Sequence, residues 1–120
     1  MKTLKYITKD NKSPNKRPKV YFCAHPEDVK NHLAEISADI LTKQPGVAIW
    51  YDDGSFRKTC TQEERELTLS EMQMFVMPIT KKLLSSPNAG LKDFRFASEH
   101  KIPVLPLMQE SGLETEFNRV

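Results

Sequence analysis

The chain has 120 residues, 38% hydrophobic and 28% charged, which is enough apolar material for one core and too little length for two domains of ordinary size. No apolar run approaches the roughly 20 residues of a membrane-spanning helix, and the N-terminal lysines are not followed by the apolar stretch of a secretory signal. Two cysteines, Cys23 and Cys60, cannot build a disulfide framework, so a reducing cytoplasm is the expected compartment and no membrane partner is expected.

The net charge of +2 is unevenly spread: residues 1–19 carry seven basic side chains and one acid, the rest of the chain 11 basic and 15 acidic. Residues 11–18 contain two prolines and no apolar periodicity, so residues 1–18 read as a basic, flexible, solvated leader, with no nucleic-acid partner expected. The folded part is expected over residues 19–120.

Val20-Tyr21-Phe22-Cys23-Ala24 is a short apolar run and reads as a buried strand. His25-Pro26-Glu27-Asp28 then starts a helix: Pro26 suits its first turn, and the two acids complement the positive end of the dipole. Val29, Leu33, Ile36 and Ile40 mark one face of that helix to about Leu41, and Pro45-Gly46 stops it. Val47-Ala48-Ile49-Trp50-Tyr51 is the second predicted strand, closed by Asp52-Asp53-Gly54. A polar stretch with a short helix at residues 62–69 leads to a third strand at residues 72–80, whose methionines read as core filler. A loop at residues 85–90 precedes a helix at residues 91–100. Residues 102–108 form the fourth strand, with two prolines that favour a sheet edge.

This alternation predicts an α/β fold, a parallel sheet with helices on both faces and strand order 2-1-3-4, of flavodoxin-like type. Ligands of such sheets bind outside the carboxyl ends of the strands. The candidate site residues are therefore Cys23, Ala24 and His25 after the first strand, Asp52 and Asp53 after the second, Thr80 and Lys81 after the third, and Leu107 and Met108 after the fourth. Glycine-rich phosphate loops, C-x-x-C and the thiol-phosphatase spacing are all absent. Cys23, His25 and His32 match no zinc spacing, so no metal is expected. A phospho-accepting receiver domain would need an Asp after the third strand, where Thr80-Lys81-Lys82 stands.

Four segments together resemble TIR (Toll/interleukin-1 receptor) domains of bacterial type, similar to those joined to tetratricopeptide repeats. They are residues 20–28, Ile49-Trp50-Tyr51-Asp52-Asp53, Phe75-Val76-Met77-Pro78-Ile79-Thr80, and residues 94–106, and the resemblance covers about residues 19–117. It implies cleavage of NAD at the nicotinamide–ribose bond to give nicotinamide and ADP-ribose or a cyclic variant, in bacterial signalling or antiphage defence, with NAD as substrate and no cofactor. The family's catalytic Glu corresponds to Asp93, a carboxylate that would stabilise an oxocarbenium-like ribose. Glu99 lies six positions further along the helix and is expected to point elsewhere. The alternative implied by the same resemblance is a non-catalytic interaction module that self-associates or binds other TIR domains through residues 52–60. Family members usually continue into a fifth strand and a final helix. The chain stops soon after the fourth, so the domain reads as truncated, with an unpaired sheet edge that favours self-association.

Overall fold

A computed structural model describes residues 3–85 and 87–120, so Lys2 of the basic stretch and Ser86 of the loop before the last predicted helix lie outside the described residues. In chain order the elements are β1 (Lys5–Ile7), β2 (Lys19–Phe22), α1 (Pro26–Lys43), β3 (Ala48–Tyr51), α2 (Ser55–Thr59), α3 (Gln62–Ser70), β4 (Met74–Ile79), α4 (Lys81–Ser85), α5 (Ala89–Glu99), β5 (Val104–Met108) and α6 (Glu114–Phe117). The fold is α/β, with a mixed five-stranded sheet in the order β1-β3-β2-β4-β5.

The four predicted strands pair parallel. The expectation of a purely parallel four-stranded sheet is corrected by β1, which pairs antiparallel with β3 through Lys5↔Tyr51, Tyr6↔Trp50 and Ile7↔Ile49. This strand falls inside the segment read as a leader. Three residues, one of them lysine, are too short for an alternation signal among so many basic neighbours. The strand is nonetheless anchored: Leu4 is buried, Tyr6 packs on Trp50 with ring centroids 5.3 Å apart, and Lys5 pairs with Asp53 at 2.9 Å. Asp10 and Arg17 pair at 3.1 Å across the loop that follows.

Strand alternation sorts the core into two layers. Val20, Phe22, Ile49 and Val76 face α1, where Ile36 and Leu41 meet them. Tyr21, Cys23, Phe75, Met77 and Ile79 face the opposite side, against Leu69 of α3, Leu83 of α4, and Leu91 and Ala97 of α5.

β5 forms the other sheet edge, and its proline has a specific position. The bonds from Phe75 N–H to the Pro103 carbonyl and from Gln109 N–H to the Ile79 carbonyl bracket the β4–β5 ladder. In a parallel ladder these bonds alternate, so residues 103, 105, 107 and 109 address β4 while 104, 106 and 108 point their backbone groups outward. Pro106 therefore removes a donor from the open side. Leu105 and Met108 are exposed there, and the missing donor partly blunts this edge against a further strand.

Candidate functional site

The carboxyl ends of β2 and β3 and the N-terminal halves of α3 and α5 converge on one buried polar network. Each contributing side chain is placed by local pattern. Tyr21 lies two residues before Cys23 on the same strand face. Asp52 directly follows β3, and the Gly54 N–H donates to its Oδ1 at 2.8 Å. That turn uses Gly54 at φ +104°, a conformation other residues avoid. Thr61 caps α3 through a reciprocal capping box with Glu64, which sets the helix phase so that Arg65 and Leu69, one turn apart, both face inward. Asp93 shares the buried face of α5 with Gly90 and Ala97. A Cβ on Gly90 would come within 2.6 Å of the Ala24 backbone, so only glycine lets α5 approach β2 this closely.

Arg65 joins the set. Its Nε donates to Asp93 Oδ1 at 3.0 Å and its Nη2 to Asp93 Oδ2 at 2.6 Å, a bidentate pair. Its Nη1 donates to Asp52 Oδ2 at 2.8 Å, and Nη2 also reaches the Tyr21 hydroxyl at 3.2 Å. Tyr21 in turn donates to Asp93 Oδ2 at 2.9 Å. Asp52, Arg65 and Asp93 are 5%, 6% and 4% exposed, so these charges are largely out of water. Burial opposes the Arg65 charge, but the bonds and charge of Asp93, with help from Tyr21 and Asp52, outweigh it and hold the guanidinium protonated well above its ordinary range. Burial first, and then the charge of Asp93, push the Tyr21 phenol and the Cys23 thiol up.

Of the predicted residues, the network brings together Asp52 and Asp93. Cys23 lies beside it, buried, with its thiol on the Gly90 carbonyl at 3.2 Å. Ala24 is buried where it touches Gly90. The others serve local structure. His25 caps α1, its Nδ1 accepting the Glu27 N–H at 3.1 Å. Asp53 faces solvent, held well below the usual carboxylate range by the Ser55 hydroxyl and N–H and then by Lys5. Thr80 donates to the buried Asp28 and accepts the Leu83 N–H at the start of α4. Lys81 is exposed, with its backbone N–H on Glu110. Leu107 packs in the α1 layer, and Met108 is exposed.

Sequence reasoning missed Arg65 and Tyr21. The signal for Arg65 was available: it is the one cation in the acidic run at residues 62–70, and it stands four residues before Leu69. Asp93 was expected, from the resemblance, to be the catalytic carboxylate near the start of a helix. It is buried on the inward face of α5 that its spacing from Gly90 and Ala97 marks.

Chemically, the network binds its own charges. Asp93 accepts three hydrogen bonds of the roughly four a carboxylate can take, and Arg65 cannot act as a base. Two clefts open nearby. One, of about 150 Å³, borders Asp93 between α2, α3 and α5. The other, of about 500 Å³, lies between the start of α1 and α2 and is walled by Lys30, Asp53, Arg57 and Lys58. A third, mainly apolar groove of about 480 Å³ runs between β1 and α3, walled by Leu4, Trp50, Phe56, Leu67 and Met72. Among the described residues no group of three or more His, Cys, Asp or Glu side chains is placed to hold a metal ion, and no helix is long and apolar enough to cross a membrane. No protein-family model matches the chain, and no curated protein sequence matches it significantly.

Proposed function

We propose that the chain is a TIR-type α/β module that works by self-association, or by binding another domain of its kind, rather than by breaking a bond. The four TIR-like segments support the class. The parallel order β3-β2-β4-β5, a flavodoxin-like arrangement carrying β1 at one edge, is what such a domain would have. One observation carries the choice of mechanism: both oxygens of Asp93 are engaged by Arg65 and Tyr21 inside the protein. A carboxylate committed in this way would have to give up hydrogen bonds to Arg65 and Tyr21 before it could serve a ribose.

Surface features favour association. Leu67 is 67% exposed beside the apolar groove, and Tyr6 is exposed on β1. The acids Glu63, Glu64 and Glu66 on α3 and the cations Arg57 and Lys58 on α2 give one copy opposite charges to offer another. A contact between different surfaces is heterologous and extends to open assemblies. The test is a concentration series followed by light scattering, with nicotinamide release from added NAD measured in the same samples. Mass that grows with concentration and no nicotinamide above buffer is expected. A monomer throughout that cleaves NAD would overturn the reading.

A second reading, an NAD glycohydrolase, is favoured by the position of Asp93 on the wall of a cleft at the carboxyl edge of the sheet. It requires Arg65 to leave Asp93 so that the carboxylate can stabilise an oxocarbenium-like ribose. Under that reading Asp93→Ala abolishes nicotinamide release and Asp93→Glu preserves or raises it.

A further inference from the structure

We infer that the small cleft between α2, α3 and α5 binds a single tetrahedral oxoanion of phosphate size. Its walls carry three cations from three separate elements, Arg57, Arg65 and Lys92, and one acid, Asp93. That acid is already committed to Arg65. Arg57 and Lys92 form no ion pair among the described residues. Arg65 is shared by Asp52 and Asp93, so the positive charge left over at the cleft is that of Arg57 and Lys92, and like charges held at one cavity favour an anion between them. Thr61 also lines the cleft, its hydroxyl engaged by the Glu64 N–H and carboxylate.

Size limits the class. At about 150 Å³ the cleft is well below the roughly 300 Å³ of pockets that enclose drug-sized molecules. It holds an oxoanion with its donors around it, not a nucleoside. Arginine and lysine together suit a tetrahedral anion, one as a planar fork and the other as a mobile point charge. Free phosphate and the terminal phosphoryl group of a larger, protruding molecule present the same chemistry.

Calorimetric titration of the full chain with inorganic phosphate, at constant ionic strength set with chloride, tests the site, with methyl phosphate as a second arm. Saturable one-to-one binding is expected. Arg57→Gln or Lys92→Gln should each weaken it about tenfold, the usual effect of losing one charge-assisted hydrogen bond, and the double variant should lose it. Lys43→Gln, on α1 across the sheet, should bind as the native chain does. Binding of phosphate alone would identify the free anion as ligand, whereas equal binding of methyl phosphate would identify a terminal phosphoryl group. Neither Arg57 nor Lys92 braces the fold, and circular dichroism checks that the variants stay folded. No saturable heat with the native chain, or undiminished binding by the folded double variant, would overturn the proposal.

Discussion

Asp52 turns inward at the end of β3 and shares Arg65 with Asp93, whereas Asp53, the next residue, faces water and pairs with Lys5 at 2.9 Å. Both are aspartates in salt bridges of similar length, yet their surroundings differ. Lys5 and Asp53 have side chains 56% and 34% exposed, while Arg65 and Asp52 have 8% and 4%. An exposed pair gains little, because water and salt screen it and two side chains must be held still. A buried set is costly to assemble and more costly to break, since removing one member strands the others without water. What sets the role of an ion pair here is its depth and not its distance.

The largest effect is expected from Arg65→Met. It leaves two buried carboxylates with no cation and should lower stability in urea unfolding by about 4 kcal/mol or more, a large part of what a domain of this size has. Adding Asp52→Asn and Asp93→Asn to that variant removes the stranded charges and should recover much of the loss.

Asp93→Asn alone should cost about 3 kcal/mol. This exceeds the 1 kcal/mol or so that a dipole-complementing acid at a helix start would contribute, so the same unfolding experiment separates the two roles.

The two regions should also fail at opposite ends of the pH scale. The folded protein retains protons on Cys23 and Tyr21 that the unfolded chain releases, because burial and then Asp93 raise both groups. Stability is therefore full below the unfolded values and declines as pH rises past about 8.5 for the thiol and about 10 for the phenol. Cys23→Ala should flatten the first decline and leave the second. Asp53 is shifted down, so its contribution is present above the unfolded value near 3.9 and is lost as pH falls toward its folded value.

The smallest effect belongs to Asp53→Asn, which is expected to lower stability at neutral pH by no more than about 1 kcal/mol, because the pair is exposed and screened. A loss comparable to that of Asp93→Asn would mean that depth does not set the role of these ion pairs.

The long elements were legible in the sequence because their periodicity is strong: the i, i+4 and i+3 spacing of Val29, Leu33, Ile36 and Ile40 marks α1, and four apolar runs mark the parallel strands. The short elements were not. Lys5–Ile7, Ser55–Thr59 and Lys81–Ser85 are each too brief to show a period, and tertiary contacts decide them. At the site, Asp52 and Asp93 were identifiable as carboxylates at strand and helix ends, but their partner was not. Arg65 lies on a helix that reads as polar all round, and a buried arginine becomes visible only when Leu69 is taken to define the inward face.

The buried network rests on the coupling between Arg65 and Asp93, and a double-mutant cycle measures it. Urea unfolding of the native chain, Arg65→Met, Asp93→Asn and the double variant yields the interaction energy directly. A coupling of about 2 kcal/mol or more, with the double variant less destabilised than the sum of the single ones, is predicted. Losses that add to within about 0.5 kcal/mol would contradict it, and would mean that the Asp93 carboxylate is not held by Arg65.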